Sequence, residues 1–311
     1  MNAGLDDGAP LRILVTGGSG FIGRHVVSVL RAEGHLVTVA DRTPYPESLD
    51  DGVRTVTGDL CRAEVRDRAV APGTDAIVHL AAETSVLGSV ERPALVHRAN
   101  VEMTAALLEL ARERQVVTFV LASTNAVVGP CEETITERLP LAPLTPYGAT
   151  KAAAEMLLSG YSGSYGMRTP VLRLTNVYGP GMLDKDSFIP RLMRAAATDE
   201  GVQIYGDGRQ RRDLVHVSDV ARAFGLAVAG WPSGPVIIGS GRSHTVTDLA
   251  VAAREITGRP IPARHVAAKP GEMPAVLVDI TRARTRGFEP SVSLEEGMRT
   301  AWADFSPAVQ A

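Results

Sequence analysis

The chain has 311 residues, 45% of them hydrophobic, and its 32 basic and 35 acidic side chains leave a formal charge of -3. That length can bury a large core, as one α/β domain or as a domain with a smaller appendage, and the composition is too apolar for a disordered chain. Balanced charge with no Lys/Arg-rich run excludes a nucleic-acid surface and a polybasic membrane patch, and no apolar run approaches the ~20 residues of a membrane span. The opening MNAGLDDGAP has neither a basic nor an apolar signal region, so no signal peptide is expected. Residues 1–10 and 306–311 read as flexible tails. Cys61 and Cys131 are too few and too scattered for a disulfide framework or a thiolate metal site. They read as reduced thiols of a cytoplasmic protein, and no metal is expected.

In chain order, strand and helix patterns alternate. RILVTGG (12–18) is a short apolar run ending in glycines, and the amphipathic FIGRHVVSVLRAEG that follows closes on Gly34. LVTVAD (36–41) gives a second strand, RTVTGDL (54–60) a third, DAIVHLAA (75–82) a fourth and VTFVLAST (117–124) a fifth. One long helix, 94–114, is predicted between the last two, and another helix carries TPYGATKAAAE (145–155). TPVLRLTNVYG (169–179) supplies a sixth strand. Short Val/Ile/Leu-rich strands separated by helices predict a doubly wound, Rossmann-type parallel sheet covered on both faces. Beyond Gly181 the alternation loosens into short strands such as VQIYG and PVIIGSG. Residues 11–180 are therefore expected to form the nucleotide domain, and 181–305 mainly a smaller interleaved lobe that returns some segments to the sheet.

GGSGFIG sets Gly17, Gly20 and Gly23 three apart, after a strand and at the opening of a helix whose first residues are Phe21, Ile22 and Gly23. Such a loop lets backbone approach a pyrophosphate at a helix N-terminus. Asp41 ends the next strand, where a carboxylate accepts from both ribose hydroxyls and repels a 2′-phosphate, so NAD is favoured over NADP. Arg42 beside it is the dissenting residue, since a guanidinium receives such a phosphate well. In TPYGATKAAAE, Tyr147 and Lys151 lie one helical turn apart, a pairing that also arises on solvated helices.

Taken together, TGGSGFIG, GDL (58–60), HLAAETSV (79–86), ASTNAVVG (122–129), PYGATK, RLTNVYGPG (173–181) and GDGRQRRDLVHVSDVA (206–221) resemble the extended short-chain dehydrogenase/reductases. The likeness is to their nucleotide-sugar epimerase/dehydratase group and covers nearly the whole chain. It implies that Asp59, with Leu60, lies at the adenine and that the backbone of Leu80, Ala81 and Ala82 lies under the cofactor. Asn100 matches an asparagine held inside the helix beside the catalytic strand, where it also reads simply as a satisfied amide. Tyr147 is implied as the proton acceptor and donor, and Lys151 as its electrostatic partner and a ligand of the nicotinamide ribose. A phenol needs roughly 4 kcal/mol of differential phenolate stabilisation to fall by about three pKa units. Counting back from VVG places the hydroxyl that orients the sugar oxygen on Thr124, with Ser123 its neighbour.

The family's 4,6-dehydratases carry an acidic pair after the catalytic Thr, to eliminate water. Here those positions are Asn125 and Ala126, so dehydration is not expected. Val128 replaces the tyrosine of VYG. For the nucleotide diphosphate the resemblance implies Asn176 and Arg212, a natural bidentate phosphate ligand. It adds Lys269 in KPGEMP, where relatives carry arginine, and Gln203 and Tyr205 for the pyrimidine of a UDP- or dTDP-sugar. Ser85, Val86, Asn125 and Phe188 shape the sugar site. The resulting expectation is an NAD-dependent nucleotide-sugar 4-epimerase, homodimeric through a four-helix bundle of 94–114 and 147–165. The alternatives are an NAD(P)H-dependent 4-keto-sugar reductase with the same residues, or a catalytically silent NAD(P)-sensing binding protein on the same fold.

Overall fold

The computed structural model describes residues 9–49, 52–131, 133–198, 200–267 and 276–306. Lys269 and nearly all of the tails expected at 1–10 and 306–311 lie outside the described residues. The elements run β1 (Arg12–Thr16), α1 (Phe21–Ala32), β2 (Leu36–Asp41), β3 (Arg54–Thr57), α2 (Ala63–Ala69), β4 (Ala76–His79), α3 (Val86–Glu91), α4 (Pro93–His97), α5 (Met103–Glu113), β5 (Thr118–Thr124), α6 (Pro146–Tyr165) and β6 (Pro170–Leu174). They continue with β7 (Asn176–Tyr178), α7 (Phe188–Thr198), β8 (Val202–Tyr205), β9 (Arg211–His216), α8 (Val217–Gly230), β10 (Gly234–Ile238), β11 (Ser243–Thr245), α9 (Val246–Thr257), β12 (Ala263–Val266), α10 (Thr281–Arg284) and α11 (Leu294–Phe305).

Seven strands form one sheet in the order β10-β6-β5-β4-β1-β2-β3, with β1–β2, β2–β3, β1–β4 and β4–β5 all paired parallel. The order reverses between β1 and β4, the place in an open α/β sheet where ligands are held beyond the carboxyl ends of the strands. PVIIGSG supplies most of β10, which lies at one edge of this sheet. By their contacts, residues up to Val127, with Thr145–Leu172 and Ala221–Pro235, form one compact unit. Val128–Leu144, Arg173–Val220 and the chain from Val236 form the other.

The core of the first unit follows from the sequence pattern. Leu14, Ala40, Val56, Ile77, Phe119 and Leu121 turn one sheet face toward Val65 and Ala69 of α2, Leu107, Leu108 and Ala111 of α5, and Ala154 and Leu158 of α6. Each large apolar side chain so buried stabilises the fold by ~1.5–3 kcal/mol relative to exposure. α6 begins on Thr145, whose hydroxyl accepts from Gly148 N, has Pro146 in its first turn, and stops at Gly166 in the left-handed region.

Two predicted elements differ in detail. RTVTGDL is strand only over Arg54–Thr57, and the GDL residues turn away, with Gly58 N donating to the Asp41 carbonyl. The single helix expected over 94–114 is three pieces: α4, a π-helical turn at Arg98–Glu102, and α5. Met103 N reaches back to the Arg98 carbonyl, so one extra residue is looped into the ladder.

After β1 the chain turns at Gly17, whose φ is +72° and whose Cβ, if present, would stand 2.7 Å from Ala81 N. Gly23, inside α1, packs on the same loop: a Cβ there would lie 2.2 Å from the Gly17 carbonyl oxygen and 2.6 Å from Gly18 Cα. Helix propensity alone favours alanine there by roughly 0.8–1 kcal/mol. The clash, however, is with backbone, and overpacking costs about 1–3 kcal/mol. Gly23→Ala is therefore expected to lower the urea midpoint of unfolding, and an unchanged or raised midpoint would show that the loop can give way.

Candidate active site

The first unit brings its predicted residues together at the carboxyl ends of β1, β2, β4 and β5. Thr124 is the last residue of β5, while Tyr147 and Lys151 occupy successive turns of α6, which packs against that strand. Lys151 is buried, and its Nζ donates to the Ala122 carbonyl at 2.9 Å. Burial lowers its pKa to about 8, and the negative charge of Glu155 acts against that fall. Burial pushes the Tyr147 phenol up to about 12, while a hydrogen bond from the Thr124 hydroxyl pulls it down. The protein's own groups thus leave Tyr147 protonated at neutral pH. The lowering expected of Lys151 does not by itself offset burial.

Glu155 was not singled out in the sequence. It completes a line at i, i+4 and i+8 with Tyr147 and Lys151, is buried, and accepts from the Ser123 hydroxyl. That spacing was the available signal.

Asn100 sits in the π turn, buried, with a fully employed amide. Its Oδ1 accepts from Glu83 N at 2.8 Å, and its Nδ2 donates to the Glu83 carbonyl and to Thr150 Oγ1, both at 3.0 Å. The Thr150 hydroxyl also donates to the Tyr147 carbonyl at 2.8 Å. Asn100 therefore ties the segment after β4 to the first turns of α6, beyond merely satisfying itself.

At the glycine loop, the Asp41 carboxylate accepts from Ser19 N and Thr43 N, each at 3.0 Å. Arg42 is turned to Glu83, with Nη2–Oε1 2.8 Å. Asp59 accepts from Cys61 N, and that bond lowers its pKa, with Arg42 and Arg98 acting in the same sense. Phe21 and Leu60 are buried, while Ile22, Leu80, Ala81 and Ala82 are half-buried around the loop. Ser85 Oγ caps α3 by accepting from Gly88 N, and Val86 is exposed. Asn125 is buried beside Thr124, and among the described residues neither polar atom of its amide has a hydrogen-bond partner.

The remaining predicted residues belong to the second unit. Asn176 pairs in register with Leu214, two residues from Arg212, so β7 and β9 carry both on one sheet. Asn176 Nδ2 donates to the Asp213 carbonyl at 3.0 Å. Gln203 and Tyr205 stand on β8, in a separate two-stranded sheet with β12. Phe188 opens α7. Asp213, a residue the sequence did not flag, is fully buried and accepts from Ser240 N, Ser240 Oγ and Arg242 N.

The family model described as the NAD dependent epimerase/dehydratase family matches residues 13–238. A dTDP-glucose 4,6-dehydratase of Streptomyces niveus is 37% identical, over 93% of this chain and 90% of its own length. The UDP-glucose 4-epimerase of Thermus thermophilus, solved in complex with NAD, superposes with a TM-score of 0.89 at 33% identity, covering 95% of this chain and 99% of that one. The Thermotoga maritima UDP-glucose 4-epimerase, solved with UDP-glucose, gives 0.90 at 32% identity, covering 95% and 98%.

Lys151 shares the chain with only two other lysines, Lys185 and Lys269, so lysine-labelled protein gives a spectrum simple enough to titrate by NMR. The buried signal is expected to lose its proton near pH 8. Glu155→Gln keeps an acceptor for Ser123 but removes the charge that holds the proton on Lys151. Its titration is then expected at lower pH, and an unchanged or raised midpoint would show that Glu155 does not set this ammonium.

Proposed function

We propose that this chain, which belongs to the NAD-dependent epimerase/dehydratase family, interconverts the C4 epimers of a nucleotide-diphosphate sugar. The observation that carries the reading is the set Thr124, Tyr147 and Lys151 gathered on β5 and α6 beside a glycine loop shaped for a dinucleotide. NAD fits the residues present. The space that a Cβ at Gly17 or Gly23 would fill is backbone cradle, the N-terminus of α1 faces a pyrophosphate favourably, and Asp41 stands where ribose hydroxyls are recognised. Arg42, engaged by Glu83, is compatible with that preference.

When bound, NAD supplies the acceptor for the hydride at C4 and the donor that returns it to the opposite face. The protein's part is proton transfer and orientation. Thr124 holds the C4 oxygen at Tyr147, whose phenolate takes the hydroxyl proton as the carbon is oxidised and gives it back on reduction. The phenol must fall well below its value in the protein alone, and the Lys151 ammonium, together with a cationic nicotinamide, acts in that direction. In the second unit, Arg212 and Asn176 are read as phosphate and sugar contacts, and Gln203 and Tyr205 as contacts of the pyrimidine in a UDP- or dTDP-sugar. Elimination of water, the reaction in the name of the Streptomyces relative, needs an acid and a base after Thr124. Asn125 and Ala126 supply neither.

Wild-type protein given UDP-glucose is expected to exchange the C4 configuration, followed by proton NMR, with no net formation of NADH. Tyr147→Phe should fold and bind NAD while turnover falls by about 10²–10⁴. Stoichiometric consumption of NAD(P)H on a 4-keto sugar without epimer exchange would instead establish a reductase. NAD binding with no turnover on any such sugar would establish a sensor.

A cytoplasmic homodimer completes the reading. No described helix is long and apolar enough to cross a membrane, and the two cysteines are free thiols. Leu95 of α4 and Met156 and Tyr165 of α6 are 44%, 56% and 58% exposed, an apolar outlay that a bundle of these helices from two copies covers. Met156→Glu is expected to shift sedimentation from dimer to monomer, and a wild-type monomer would remove the bundle from the proposal.

A further inference from the structure

His79, the first residue of HLAA, has no part in the proposed chemistry, yet it is the most enclosed titratable group of the first unit's sheet. It is 1% exposed, lies edge-on to the Phe119 ring at 5.6 Å, and ends β4. Both ring nitrogens are hydrogen-bonded to threonine hydroxyls: Nδ1 to Thr16 Oγ1 at 2.7 Å and Nε2 to Thr104 Oγ1 at 3.0 Å.

The protons of these bonds can be counted. A threonine hydroxyl has one proton to give, and that of Thr104 goes to the Asn100 carbonyl at 2.8 Å, a group that only accepts. Toward His79 the Thr104 oxygen must therefore accept, so Nε2 carries the hydrogen. Burial without a carboxylate partner keeps the ring neutral, which leaves Nδ1 bare to accept the Thr16 proton. The Thr16 oxygen then accepts from Ala81 N–H, 3.3 Å away. Every donor meets an acceptor in one direction: Ala81 N–H to Thr16, Thr16 to His79, His79 to Thr104, Thr104 to the Asn100 carbonyl. The other tautomer would either set two lone pairs against each other at Thr104 or draw the Thr104 proton to Nε2 and leave the Asn100 carbonyl without this donor.

Each end of the chain lies at the site. Ala81 N is the atom against which Gly17 packs, and Asn100 holds Thr150, which holds the Tyr147 carbonyl. We infer that His79, fixed as its Nε2–H tautomer, is a positioning residue that couples the backbone of the glycine loop to the catalytic turn of α6. This rests on the proposed role of Tyr147. The charge that reaches the ring is the Lys151 ammonium; it acts with burial to lower the imidazole pKa to about 3, so the link does not titrate where the enzyme works.

The test begins with wild-type protein labelled with ¹⁵N in its imidazoles. Of seven histidines, His79, assigned through His79→Gln, is expected as neutral Nε2–H and unchanged from about pH 5 to 9, the range in which ordinary imidazoles change charge. The Nδ1–H form, or protonation within that range, overturns the inference. Thr104→Val keeps the shape and removes the hydroxyl. It is expected to leave the fold and substrate KM in place, to move the His79 signals toward a mixture of tautomers, and to lower kcat roughly tenfold to a hundredfold. Thr104→Ser should restore both. A variant that loses only thermal stability, with kcat and tautomer unchanged, reduces the chain to packing and refutes positioning. The wild-type tautomer can overturn the inference even where Thr104→Val does not fold, and Thr104→Ser then carries the kinetic comparison. Absence of epimerisation in wild type counts against the proposed function instead, and leaves the tautomer result standing.

Discussion

A lysine ammonium taken out of water needs replacement ligands or it sheds its proton, and much of the first unit is arranged around that demand at Lys151. The Ala122 carbonyl takes one N–H and Glu155 supplies the opposing charge. Glu155 is in turn held by Ser123, one residue before Thr124. Strand β5 therefore contributes a carbonyl and two hydroxyls from three successive residues. Helix α6 answers with a phenol, an ammonium and a carboxylate at every fourth position. For these to meet, the helix must lie close on the strand, which is why the segment between Tyr147 and Glu155 is built of Gly, Ala and Thr.

The opposed shifts of Tyr147 and Lys151 share one origin. Desolvation disfavours whichever form is charged, raising the phenol and lowering the amine. A base formed from such a phenol needs added positive charge in the same enclosed space, where each charge also acts more strongly than in water. Coupling between the cofactor's charge and the tyrosine's basicity then follows from burial. A cationic dinucleotide bound there would favour the phenolate of Tyr147.

The sequence carried the sheet, the glycine loop and the Tyr–Lys pair because each depends on local rules: alternation of elements, glycine where backbone meets backbone, one helical turn between partners. What it did not carry depends on distant residues. Glu155 shows its importance only once Ser123 is brought across from β5, 32 residues away. His79 opens the HLAA motif, yet its role depends on Thr16 and Thr104, 63 and 25 residues away. The π turn was not legible in hydrophobic period, because what it serves is the reach of Asn100 to Glu83 and Thr150, 17 and 50 residues away. Arg42 was legible as a cation beside Asp41, but its engagement by Glu83, 41 residues on, was not.

That π turn bears on how the family's chains can change length. A residue looped into a helix is held there by what it reaches, and Asn100 reaches Glu83 and Thr150 only from the widened turn. Removing a single residue between 98 and 102 would let the ladder close into uniform α-helix. The Met103 N–H and the Arg98 carbonyl would then be an ordinary helical pair, so α4 and α5 would keep their mutual orientation and only the widened turn would vanish. With it would go the placement from which the asparagine amide reaches Glu83 and Thr150. An alignment gap at this point therefore counts as a change of the site, while the surfaces of the flanking helices are kept.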